Sequence, residues 1–204
     1  MDITIIFSVA ILIMSVVIHE VAHGYAALFM GDVTAKYEGR LTMNPVKHLD
    51  PFGSVIFPLI LAMINPSLVF GWAKPVPYNP YNLRNKRWGE LLVAIAGPIS
   101  NILLAILMGI VVRFGPMMNL PIAFYDLAEL TVVINIYLAV FNMMPIPPLD
   151  GSKVLFALFP ESADKFRGAL ERYGIFFFLV FIFFLSGIIS PIAEILAKII
   201  LGYY

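Results

Sequence analysis

The sequence predicts an all-α polytopic membrane protein, with about four full transmembrane helices, a re-entrant or interfacial helix or β-hairpin region over residues 31–90, and a C-terminal helix. Three observations carry that reading. The chain is 61% hydrophobic and 13% charged over 204 residues, above the usual apolar share and about half the usual charged share. Its mean hydropathy is strongly positive, and a soluble domain of this length could not hide so much apolar surface. The apolar residues also fall into long runs, with the 14 Gly and 15 Pro gathered at the ends and breaks of those runs. The length corresponds to a single membrane-embedded domain, 1–204.

The first span is expected from Ile3 to about Phe29. Ile3–Ile18 is apolar enough for a secretory signal, but only Met1 and Asp2 precede it and no small-residue cleavage pattern follows, so it reads as a retained span. Gly31–Asp50 is polar, with β-branched residues, Gly and Pro, and reads as a short strand or loop segment. Phe52–Ile64 is an apolar run of 13 residues, or 19 if it continues to Phe70. The shorter length is below the roughly 17 residues needed to cross a bilayer. Gly71–Arg87 is rich in Pro and aromatics and cannot be regular helix.

Leu91–Val112 is the second full span, and Leu127–Met144 the third, ended by PIPPLDG. Gly151–Arg172 is mixed and reads as surface helix. Tyr173–Ile189 is a Phe-rich fourth span, and Pro191–Leu201 a final amphipathic or shallow helix. In lipid, a broken helix is tolerated only where protein or a wet cavity satisfies its freed backbone groups. The breaks expected at Pro98 and at Pro145–Pro148 therefore point to a site between helices.

Net charge is zero and there is no run of like charges, so nothing points to nucleic acid; the lipid bilayer is the expected surroundings. Cysteine is absent, which excludes disulfides, thiolate catalysis and Cys-based zinc sites. A transition-metal site must then use His, Asp, Glu or water. The chain has three histidines, His19, His23 and His48, and two of them lie in VVIHEVAHGYAALF at the end of the first span. On a helix, residues i and i+4 share a face, so His19 and His23 can grip one ion with Glu20 beside it. H-E-x-x-H is the zinc metalloprotease signature: two His ligands, and a Glu that takes a proton from water on the metal. Ionisable residues inside a membrane span are functional by default. Two His and water leave a catalytic zinc one protein ligand short. The candidates are the other acids near the membrane and His48. Asp150, at the end of a full span after NMMPIPPL, stands out, although it equally fits a plain N-cap for a helix from Gly151 onward. His48 lies in a loop with Asp50, where surface or interface contact is the simpler reading.

HEVAHG (19–24), GPISN (97–101) and NMMPIPPLDG (142–151) resemble the three core motifs of the site-2 protease family of intramembrane zinc metalloproteases, in the family's order and each on its own span. GRLTMNP, HLDPFGS and FGWAKPVPYNP, between residues 31 and 80, resemble a compact subgroup without accessory domains, and no stretch resembles an inserted PDZ or a C-terminal CBS domain. The resemblance implies one Zn2+ held by His19, His23 and Asp150, Glu20 as general base, and Asn101 and Asn142 holding the substrate or its oxyanion. It implies transmembrane protein substrates, hydrolysed within or just at the membrane.

The charges test the geometry separately. His23 and Asp150 must meet at one depth, and the two full spans between them return the chain to its starting side. Phe52–Ile64 must then not cross alone. If it does not, the segments 36–87 and 153–172 lie on one side and hold eleven of the 13 Lys and Arg, leaving Arg113 and Lys198 for the other. That is a strong positive-inside bias. The N-terminus is then outside and the active site near the cytoplasmic side. His19, 16 residues beyond Ile3, lies about 24 Å along a helix, towards the inner edge of a hydrocarbon core roughly 30 Å thick.

Two other functions compete. A zinc transporter or membrane metal-binding protein also carries intramembrane His and acids, but it needs more ligands along a path than one cluster and Asp150. An idle scaffold has no use for Glu20. Substrate identity and oligomeric state are not encoded legibly.

Overall fold

The computed structural model describes residues 3–56, 60, 63, 73–115, 121–159, 164–182 and 186–202. Among these the chain is helical, with no strand. In order come α1 (Ile3–Phe29), α2 (Thr34–Tyr37), α3 (Lys86–Phe114), α4 (Ile122–Asn142), α5 (Asp150–Leu158), α6 (Asp164–Arg172), α7 (Gly174–Val180) and α8 (Ile189–Leu201). Three helices are long and apolar enough to cross a membrane: 5–29 of α1, all of α3 and all of α4. At 1.5 Å per residue the 21 residues of α4, the shortest, reach about 31 Å, enough for the hydrocarbon core. The protein is a multi-pass integral membrane protein.

Four sequence expectations meet the structure as follows. Of the fourth span over Tyr173–Ile189, α7 (Gly174–Val180) and a 3-10 turn (Ser186–Ile188) leading into α8 are described, and residues 183–185 between them lie outside the described residues. The expected strand in 31–50 is the short α2 and a 3-10 turn (Pro45–Lys47). Asp32, at 0% exposure, organises this corner: its carboxylate accepts from Thr34 N–H and Oγ1, Asn79 N–H and Asn82 Nδ2. Local side-chain bonds of this kind compete successfully with strand pairing. Third, α3 runs unbroken through Pro98. The missing Pro98 N–H costs the helix one hydrogen bond without ending it. Fourth, α8 begins two residues before Pro191, a position where the missing N–H is harmless. Most of the Phe52–Phe70 run, and with it the question of whether that run is re-entrant, lies outside the described residues.

Helix α3 is the hub: it packs against α1, α4, α5 and α8. Small residues permit the close approach, with Ala94, Gly97, Ala105 and Gly109 buried on α3, Ala139 on α4 and Ala193 and Ala197 on α8. One apolar core joins Ala105, Val132, Ile136 and Val140 to Phe181, Ile189 and Leu201. The outward faces stay apolar: Ile6, Leu12, Leu103 and Leu107 are exposed, as lipid contact requires. The Phe cluster divides, with Phe178 and Phe181 in the core and Phe176 and Phe177 exposed.

Candidate metal centre

The polar residues inside this apolar bundle come together at one point. His19 and His23, one turn apart on α1, stand edge to face with ring centroids 4.6 Å apart. Their Nε2 atoms are 3.0 Å apart, and each lies 3.1 Å from Oδ2 of Asp150. All three residues are buried. Asp150 opens α5, whose N-cap is Leu149, so its carboxylate does not cap the helix but faces the histidines. The contact closes because α5 can abut the end of α4: a Cβ at Gly151 would collide with the Met143 and Met144 carbonyls.

The far side of each imidazole decides what this triangle can hold. His19 Nδ1 is 2.6 Å from Asn101 Oδ1, and His23 Nδ1 is 2.6 Å from the Val93 carbonyl. Both partners accept only, so Nδ1 carries the proton on each ring and Nε2 carries the lone pair. Two imidazole lone pairs and a carboxylate oxygen then face one another with no proton between them. That arrangement is repulsive by itself and fits a cation. Four-coordinate zinc with bonds of about 2.0 Å sets neighbouring ligand atoms about 3.3 Å apart, close to the 3.0–3.1 Å edges of this triangle. The residues therefore fit Zn2+, with a fourth corner left for water or substrate. Among the described residues, His19, His23 and Asp150 form such a cluster.

Gly97, from GPISN, packs against the Nε2 edge of the pair. A Cβ there would overlap the Nε2 atoms of both histidines. Asn101, from the same motif, has a different place from the one expected. It is 0% exposed, its Oδ1 takes the His19 proton, and its Nδ2 donates to Asn135 Oδ1 (2.7 Å) and the Ser15 carbonyl (3.4 Å). No hydrogen remains for a substrate, so Asn101 stands behind a candidate ligand and not in front of it. Asn135 in turn donates to Ser15 Oγ and the Thr131 carbonyl. Asn135 and Ser15 escaped the sequence reading; their signal was a polar residue in the middle of an apolar span. Asn142 is half-buried and donates to the Leu138 carbonyl of its own helix, outside the cluster.

Residues 73–79 form an irregular strap beside Glu20. Glu20 Oε2 accepts the Val76 backbone N–H at 2.8 Å. The same strap is held by Arg40, whose Nη2 donates to the Lys74 and Pro75 carbonyls, and by the His48 carbonyl, which accepts from Lys74 N–H. His48 is therefore a buried clamp at 1% exposure, not a surface residue. Its Nε2 bonds the Thr42 carbonyl, far from a ligand role. Residues 73–79 are irregular and lie against Glu20, whereas 34–37 is helical.

A family model described as peptidase family M50 matches residues 117–186. A Bacillus subtilis protein named "Putative zinc metalloprotease YwhC" is 38% identical over 182 residues, 85% of this chain and 78% of that one. A Mycolicibacterium smegmatis protein named "Putative zinc metalloprotease Rip2" is 29% identical over 68% of this chain and 52% of its own length. "Zinc metalloprotease MJ0392" of Methanocaldococcus jannaschii is 27% identical over 88% of this chain and 42% of its own. No solved structure matches.

Proposed function

The chain belongs to peptidase family M50, the site-2 protease family of zinc metallopeptidases, and on that premise we propose that it hydrolyses peptide bonds of membrane-embedded proteins at a zinc held by His19, His23 and Asp150, with Glu20 as general base. The observation that carries the ligand set is the triangle of two imidazole lone pairs and one carboxylate oxygen, with both Nδ1 protons turned away. Zinc bound there supplies Lewis acidity, which polarises a carbonyl and makes water acidic enough to ionise near neutral pH. Glu20 follows His19 on the same helix turn, and its carboxylate takes the proton released as water attacks the carbonyl carbon, then gives it to the amine nitrogen as the C–N bond breaks. The Val76 N–H orients that carboxylate. The Asn101–Asn135–Ser15 ladder holds the His19 ring and its tautomer.

A substrate helix hides its carbonyls in its own hydrogen bonds, so a substrate must unwind to present one, and the strap 73–79 is where an extended segment can lie. The basic-residue bias supports an N-terminus outside and a site near the cytoplasm. Because the chain has no cysteine, single introduced cysteines report sidedness directly; labelling of Tyr81→Cys from the outer face would reverse the orientation. The transporter reading is not favoured, because the described residues cluster ligands at one depth and not along a path.

The deciding experiment is Glu20→Gln with a membrane-embedded reporter substrate. Zinc content stays at the parent's level and cleavage is abolished. Proteolysis that survives Glu20→Gln, or that persists in excess chelator, sinks the mechanism.

A further inference from the structure

The reaction needs something the sequence motifs leave unassigned. When water adds to the carbonyl carbon, the carbonyl oxygen gains negative charge, and hydrolases aim a fixed donor or cation at that point. Asn101 and Asn142 were the expected donors. Asn101 has spent both amide hydrogens inside the bundle, and Asn142 turns to its own helix.

Among the described residues, a cation touches the cluster. Lys153, one turn into α5, places Nζ 3.6 Å from Asp150 Oδ1, the oxygen turned away from the histidines. A single carboxylate's width separates this ammonium from the triangle of candidate ligand atoms. Its side chain is 36% exposed against 9% for Asp150, so it reaches from the buried cluster towards the accessible side. It also lies 5.5 Å from the Tyr78 ring centroid. Tyr78 is on the strap whose Val76 N–H holds Glu20. The proposed base and this cation therefore face the same segment, whereas the Asn101 ladder meets the opposite, Nδ1 side of His19.

We propose that Lys153 is a catalytic residue of the site, its ammonium contacting the scissile carbonyl oxygen and stabilising the charge that develops there. The inference rests on the protease reading above. A bare salt bridge would keep Lys153 on Asp150; once the carboxylate's charge is shared with zinc, that attraction weakens and the ammonium is available to the oxygen arriving beside it. Charge and position both count, so arginine substitutes in part and methionine, of similar length, does not.

The test uses the full-length zinc-loaded protein with Lys153→Met and Lys153→Arg, read by zinc per chain, by kcat and KM on the membrane reporter, and by affinity for a phosphonamidate peptide, whose anionic oxygens resemble the charged carbonyl oxygen. Lys153→Met keeps parental zinc, loses kcat by about 10²–10³-fold with KM changed little, and loses phosphonamidate affinity in step with kcat/KM. Lys153→Arg recovers part of both. Zinc and activity falling together would mean that Lys153 only steadies Asp150, and the proposal fails. Parental kcat, or parental phosphonamidate affinity, in Lys153→Met overturns it as well. A parent protein that binds zinc but neither cleaves the reporter nor binds the phosphonamidate overturns the protease reading itself, and this inference with it.

Discussion

The two sides of the histidine pair are built on opposite principles. Behind it, Ser15, Asn101 and Asn135 are almost wholly buried, with every amide hydrogen of the two asparagines matched to an acceptor across α1, α3 and α4. In front of it, Glu20, Tyr78 and Lys153 are half-buried, and they meet an irregular strap held by a few backbone contacts. The rear is saturated and can only hold geometry. In the proposed mechanism the front is the side that takes up protons, charge and substrate. A buried polar network in lipid is stable only when complete, which is why the rear spans three helices, whereas a site that must admit water and a substrate backbone cannot be sealed in that way.

Substitutions on the two sides should therefore fail differently. The largest effects come from the triangle: His23→Ala or Asp150→Ala removes zinc and cleavage together, with activity down by at least about 10³-fold, and metal content equal to the parent's in Asp150→Ala would remove that residue from the ligand set. Next, Gly97→Ala touches no proposed ligand atom by chemistry, yet its methyl overlaps both imidazoles; zinc affinity should fall by about 10–100-fold, and a normal zinc titration would mean the contact is not tight. Third, Asn135→Ala leaves Asn101 without its anchor. Zinc affinity drops by up to about 10-fold and stability by about 1–3 kcal/mol, seen by competition with a chelator and by thermal unfolding in detergent. A loss of kcat with zinc affinity untouched would put Asn135 on the wrong side of the comparison.

On the front, Arg40→Ala frees the strap from one clamp. Zinc should stay bound while kcat/KM falls by up to about 10²-fold, the scale of a misplaced reacting group. The smallest effect is at Asp32. Burial would raise its pKa, but the hydrogen bonds from Thr34, Asn82 and Asn79 outweigh it and hold the carboxyl below its ordinary value. A depressed folded value contributes stability above the unfolded value of about 3.9, and that contribution is lost as pH falls through the folded value. Asp32→Asn should thus be less stable than the parent at pH 6, with the gap closing below about pH 4; a gap constant with pH would mean the carboxylate's charge plays no part.

The strap itself shows where sequence reading stops. FGWAKPVPYNP was legible as non-helical because proline forbids regular helix there, but nothing in its composition says that the Val76 N–H meets Glu20, 56 positions away. His48 reads as a loop residue by its neighbours, yet it is buried, and its carbonyl accepts from the Lys74 N–H, 26 positions away. The expected break at Pro98 failed for the same reason: packing against α1 and α4 outweighed one lost hydrogen bond.

What the sequence determined alone is whatever depends on composition and short spacing. Apolar runs of sufficient length specify spans, because burying backbone in lipid leaves helix as the available solution. The four-residue interval puts His19 and His23 on one face, because a helix repeats every 3.6 residues. The resemblance of three motifs then implied Asp150 as partner. Tertiary structure alone decided what depends on distance across the bundle: that Asp150 Oδ2 reaches both Nε2 atoms, that Asn101 faces inward to His19, and that Lys153 meets the strap at Tyr78. The place of Asn101 behind His19 carries no local mark, because it is set by which groups on other helices have claimed its hydrogen bonds.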